Sequence, residues 1–130
     1  MVQFFRGAVF EHQEDEEREL FPAVLKDAEP GEERERVQWM VDTLTREHRD
    51  IEQQWNALEP QIKKLAKGQP ADIDPQAIAR LVEQYQAHAR FEELEFLPLS
   101  EKILGRDSHH MAALGLSLHM RHQPVFLAHI

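Results

Sequence analysis

An eleven-residue pattern occurs twice in this chain, as HQEDEERELFP over residues 12–22 and HARFEELEFLP over residues 88–98. In each copy a glutamate follows the histidine by four (Glu16, Glu92), an apolar couple follows (Leu20 and Phe21, Phe96 and Leu97), and a proline closes the pattern (Pro22, Pro98). Residues four apart on a helix lie one above the other on the same face. Each copy therefore offers a histidine and a glutamate from a single stripe. Two such stripes on separate helices describe a pair of side-chain clamps facing each other. A fold that uses them must set the two helices side by side around a common interior.

The spacing alone would be weak support, because in so glutamate-rich a chain His48 also has a glutamate, Glu52, four residues on. The periodicity around the repeats adds more. Val2, Phe5, Val9, His12, Glu16, Leu20 and Ala23 alternate steps of three and four, which predicts a helix over residues 1–28. Pro22 is expected to kink or loosen its last turns, and Glu29-Pro30-Gly31 to stop it. A second helix is predicted over residues 32–67, with the seam Val37, Val41, Leu44, His48, Ile51, Trp55, Leu58, Ile62, Leu65 and a kink at Pro60. After Gly68-Gln69-Pro70, Asp74 reads as an N-cap and Pro75 as the first residue of a third helix reaching Leu104, closed by Gly105. A shorter helix, capped by Ser108, is predicted over residues 108–122. No β signal occurs. The expected fold class is all-α, an antiparallel up-and-down bundle of three long helices plus a short C-terminal one, in a single domain over residues 1–130.

His12, Glu16, His48, His88 and Glu92 all fall on core-facing stripes, spread over three helices. One histidine in such a place reads as a hydrogen-bonded core residue. Two glutamates change that reading, since a buried unpaired carboxylate costs several kcal/mol. No lysine or arginine lies on these stripes to offset them. A metal cation would. Imidazole with carboxylate and without thiolate suits iron, manganese or zinc, and the chain has no cysteine. Carboxylates from two helices, each able to bridge, favour a dinuclear centre, and the Glu-x-x-His pairs of ferritin-like bundles are absent.

Other residues read more plainly. Glu52 and the acidic run 11–19, Glu16 apart, are taken as solvated faces, and Trp39 and Trp55 as packing residues. His109, His110, His119, His122 and His129 are read as a polar covering of the bundle end. The net charge of −9 argues against nucleic acid or an anionic membrane as partner. No stretch reads as a transmembrane span, and the N-terminus turns acidic too early for a signal peptide, so a cytoplasmic location is the default expectation. There is no nucleophile–base arrangement and no glycine-rich phosphate loop.

Taken in order, these elements resemble the hemerythrin-like (HHE cation-binding) proteins. The two H-x-x-x-E pairs with their LFP and FLP endings match two family helices, and Glu47-His48 matches the Glu-His pair of the helix between them. The resemblance covers residues 1–104. It implies an oxo- or hydroxo-bridged di-iron centre with Glu16 and Glu92 bridging. It also implies O2, or another small diatomic or peroxide ligand, as the partner, in binding or in oxygen, redox or iron sensing. Some family members have peroxide- or nitric-oxide-related activities. The family's first helix brings a further histidine that nothing before His12 matches. A seam face lined by Phe5, Val9, Leu44, Ile51 and Leu81 is then expected to lie open. An upstream helix, the C-terminal helix or a second copy would cover it, and the expectation is a homodimer or a longer natural protein. Two other readings of the same residues stay open: a metal-free interaction module, and an enzyme with a single iron on two histidines and one carboxylate. Whether the protein is an enzyme stays open as well.

Overall fold

The computed structural model describes residues 6–106, which form three helices and, among those residues, no strand. Helix α1 covers 6–27, α2 is Glu32–Ala66, and α3 covers 75–106. The predicted helix over 108–122 and the histidines from His109 onward lie outside the described residues. No described helix is long and apolar enough to cross a membrane.

Local chemistry sets the boundaries. Gly31 takes φ +104°, a left-handed conformation that side chains with a Cβ rarely adopt, and it lets the chain reverse into α2. The Glu29 amide donates to Glu33 Oε1 at 2.9 Å, tying the turn to the first turn of α2. At the start of α3 the Asp74 side chain accepts from the Gln76 amide at 2.9 Å, with Pro75 behind it, as the sequence predicts. As predicted, α2 continues through Pro60; one boundary differs from expectation, α3 running past Gly105 to Arg106.

The prolines of the repeat widen the helix rather than end it. In α1 the Phe21 amide bonds back to the Glu16 carbonyl, and in α3 the Leu97 amide bonds to the Glu92 carbonyl, each five residues back. The resulting π turns, Glu16–Leu20 and Glu92–Phe96, begin at the glutamate of each motif and end just before its proline. A proline donates no N–H and its ring crowds the carbonyl four residues earlier. A turn one residue wider accommodates both effects without breaking the helix. The repeat in the sequence is thus a repeat in backbone geometry.

Two apolar clusters hold the helices together. The end of α1 (Phe21, Val24, Ala28) and the end of α3 (Phe96, Leu97, Ile103, Leu104) pack on the first half of α2 (Val37, Met40, Val41, Leu44). The other cluster joins Val9 of α1, Leu81 and Tyr85 of α3, and Ile51, Trp55 and Leu58 from the second half of α2. It follows that α1 and α3 run parallel and α2 runs against both. Fully burying one such side chain is worth about 1.5–3 kcal/mol, so these clusters dominate the fold. Val9, Leu44, Ile51 and Leu81 are all buried within one chain. Four of the five residues expected to line an open face are therefore covered; Phe5 lies outside the described residues.

At the far end Arg106 closes the bundle on Glu33, with one bond at 3.1 Å from Nη1 to Oε2 and a second from Nη2 to Oε1. The guanidinium, together with the Glu29 amide, pulls the Glu33 carboxyl from 4.5 down to about 2. A depressed carboxyl contributes stability that is present above its ordinary pKa and lost as pH falls through the folded value. Between pH 4.5 and 2 the Arg106→Ala variant should therefore lose less stability than the wild type, measured by urea unfolding at stepped pH. Equal losses would show that the pair contributes nothing.

Candidate metal centre

Between the two apolar clusters each helix carries polar residues, and they meet. His12 and Glu16 follow Val9 and precede Phe21 on α1. His48 lies between Leu44 and Ile51 on α2, and His88 and Glu92 lie between Tyr85 and Phe96 on α3. Because α1 and α3 are parallel, their motifs stand at the same level, opposite His48. Glu16, His48, His88 and Glu92 are each at most 4% exposed, while His12 is half-buried.

All five residues singled out in the sequence come together. Nε2 of His48 is 3.5 Å from Glu16 Oε1, Nε2 of His88 is 3.6 Å from Glu92 Oε2, and Nε2 of His12 is 3.9 Å from Glu16 Oε1. The rings of His48 and His88 meet edge to face at 4.8 Å, and Phe21 stacks on His48 at 5.9 Å. Two triplets have donor atoms mutually within 4.8 Å: His48, His88 and Glu92, and His12, Glu16 and Glu92. Glu92 belongs to both.

The electrostatics of this layer are unfavourable for protein groups alone. Burial raises the Glu16 carboxyl well above 4.5, and the neighbouring charge of Glu92 raises it further. Burial also pushes His48 down to about 3, with the facing His88 adding to the effect. The cavity thus disfavours both an anionic Glu16 and a cationic His48. Burial likewise drives the Tyr85 hydroxyl upward, and the charges of Glu92 and Glu16 add to it. The Nε2 atom of His48 is buried and makes no hydrogen bond, although a buried polar atom normally has a partner. A neutral imidazole nitrogen turned towards carboxylates in a buried layer is the donor set that a cation satisfies.

Three features were not legible in the sequence. Glu17, read as part of a solvated face, reaches His48 Nδ1 at 2.8 Å and is also held by Arg49. Glu47 reaches His88 Nδ1 at the same distance. The available signal was that each directly neighbours a stripe residue, Glu16 or His48. Gln13, in the same acidic run, is buried, and neither atom of its amide has a hydrogen-bond partner. Among the packing residues, Trp55 is buried and donates to Glu59 Oε2 at 2.5 Å, but Trp39 is 59% exposed and only edges against Phe91. Glu52 is paired with Arg49 at 3.2 Å, outside the polar layer.

The chain is similar to known proteins over this whole layer. The family model of the hemerythrin HHE cation-binding domain matches residues 1–100, which include all five site residues. An uncharacterized protein of Haemophilus influenzae is 32% identical over 117 residues, covering 87% of this chain. The chain spans 64% of the length of that relative. No solved structure matches.

Proposed function

The chain belongs to the hemerythrin HHE cation-binding domain family, and on that premise we propose that its polar layer is a non-haem iron centre. His12, Glu16, His48, His88 and Glu92 would hold the metal. The observation that carries this reading is the pair of donor triplets joined at Glu92, inside a layer where His48 Nε2 is buried without a hydrogen bond. Two triplets sharing one carboxylate suit two ions, with Glu92 common to both. Bound iron would supply one-electron redox chemistry and affinity for O2 or a related small ligand, which suits oxygen, redox or iron sensing.

The protein's own residues define the surroundings. Phe21, Phe96 and Leu44 wall the layer on one side and Ile51 on the other, keeping bulk water out of it. Burial holds the His48 imidazole neutral, with a lone pair to donate. A second reading, a single iron on His48, His88 and Glu92, is favoured by one observation: that triplet is wholly buried, whereas His12 is not.

Metal analysis of the full chain made in iron-replete medium tests these readings. About two irons per chain are expected, with the near-ultraviolet band of a bridged pair. About one iron per chain without that band would favour the mononuclear centre. Protein that takes up no metal under any loading condition would overturn both and leave a helical interaction module.

A further inference from the structure

Two carboxylates outside the proposed ligand set stand in a crossed arrangement. Glu17 follows Glu16 on α1, yet it bonds Nδ1 of His48 on α2 at 2.8 Å. Glu47 precedes His48 on α2, yet it bonds Nδ1 of His88 on α3, also at 2.8 Å. Each is thus the sequence neighbour of one interior residue and the hydrogen-bond partner of a histidine on the next helix. Both are partly open to solvent, 24% and 31% exposed, while the histidines they touch are 0% and 4% exposed.

Proton placement gives this arrangement a consequence. A neutral imidazole carries its proton on one nitrogen only, and the partner of each nitrogen decides which. An ionised carboxylate can only accept, so contact with Glu17 or Glu47 places the proton on Nδ1. On the inner side, Nε2 of His48 faces Glu16 at 3.5 Å and Nε2 of His88 faces Glu92 at 3.6 Å, both longer than a good hydrogen bond. The outer contact is the shorter one in both cases and wins the proton. Each Nε2 is left with its lone pair directed inward. Arg49 holds Glu17 in place, and the pair lines an open surface pocket with Phe10, Glu52 and Asn56.

We propose that Glu17 and Glu47 are positioning residues, each setting the tautomer and ring orientation of the histidine on the adjacent helix so that Nε2 presents a lone pair to the interior. Removing either carboxylate frees the proton to move to Nε2, where Glu16 or Glu92 receives it. That transfer blocks the nitrogen a metal needs. Carboxylates behind metal-bound histidines are typically worth about 10–100-fold in metal affinity.

The inference rests on the metal reading for its purpose but not for its first test. Imidazole nitrogen-15 shifts in the metal-free full chain at about pH 8, above the ordinary histidine range, report the tautomer of each ring. In wild type both His48 and His88 should be Nδ1–H. Glu17→Ala should move His48 alone towards Nε2–H, and Glu47→Ala should move His88 alone, following the crossed pairing. Zinc(II) titrated against a competing chelator should then bind each variant about 10–100-fold more weakly than wild type. Glu17→Gln and Glu47→Gln keep an acceptor oxygen and the side-chain shape, so they should recover part of the loss; they also serve as the test should the alanine variants fail to fold. Unchanged tautomers in folded variants would overturn the proposal. If wild type binds no metal, the iron centre is overturned, while the tautomer measurement still decides the roles of Glu17 and Glu47.

Discussion

Glu92→Ala is expected to strip essentially all metal from the protein, whereas Glu16→Ala should strip about half, because Glu92 belongs to both donor triplets and Glu16 to one. With Glu92 gone, neither triplet survives: His48 and His88 keep two nitrogens, and the buried Glu16 keeps only its contacts to His48 at 3.5 Å and to the half-buried His12 at 3.9 Å. No three donors mutually within 4.8 Å remain among the described residues to bind iron or zinc tightly. With Glu16 gone, the wholly buried triplet His48, His88 and Glu92 keeps all three donors. Metal content by mass spectrometry, with circular dichroism as a check on folding, reads the difference. Equal losses in the two variants would mean that the triplets do not act as separable halves. Full retention of metal by Glu92→Ala would move the centre elsewhere.

The second large effect concerns stability without metal. Chelation should lower the melting temperature, since a ligand that binds only the folded state adds about 2.7 kcal/mol at a hundredfold excess over its dissociation constant. For a domain of this size that corresponds to roughly 10 °C. Glu16→Gln should reverse the pattern. Burial raises the Glu16 carboxyl well above 4.5, so in the metal-free fold it favours its proton. The sign follows directly: a raised folded pKa contributes stability that is full below the unfolded value and lost as pH rises through the folded one. The Glu16 contribution to metal-free stability should therefore fall as pH climbs from 4.5 towards neutrality, against the opposite contribution of His48. The difference between wild type and Glu16→Gln isolates it. Glutamine carries no such titration. At pH 7 metal-free Glu16→Gln should be at least as stable as metal-free wild type, yet gain much less from added iron. Thermal melts of both proteins with and without chelator at pH 5 and 7 provide the comparison. Identical melting temperatures with and without metal in the wild type would support the interaction module instead.

Much of this organisation is legible in one dimension. The steps of three and four identify the first two helices, the Asp74-Pro75 start and the Glu29-Pro30-Gly31 stop place two boundaries, and the seams name most interior residues, Leu65 at 62% exposure being an exception. His12, Glu16, His48, His88 and Glu92 follow from the same count, because a helix converts sequence spacing directly into a face. That two carboxylates lie on such faces with no lysine or arginine on the same stripe is also a property of the sequence.

What periodicity does not contain is how one face meets another. The offset of the two prolines shows where each helix is disturbed, but the amide of Phe21 reaching the Glu16 carbonyl, in place of a broken helix, goes with packing that buries Val9 before the wide turn and Phe21 and Val24 at and after it. The closure of the seam around Val9, Leu44, Ile51 and Leu81 depends on how the packed chain encloses those positions, which a count along a single helix does not register. Glu17 and Glu47 were hidden for a related reason. Each lies one residue off a core stripe, a position that reads as solvated on its own helix, and each gains its role only when an adjacent helix brings a histidine within 2.8 Å. Spacing along a helix fixes angle about its own axis; contacts between helices depend on their relative rotation and level, and those are set by the burial of Phe21, Leu44, Ile51 and Phe96 against one another in three dimensions.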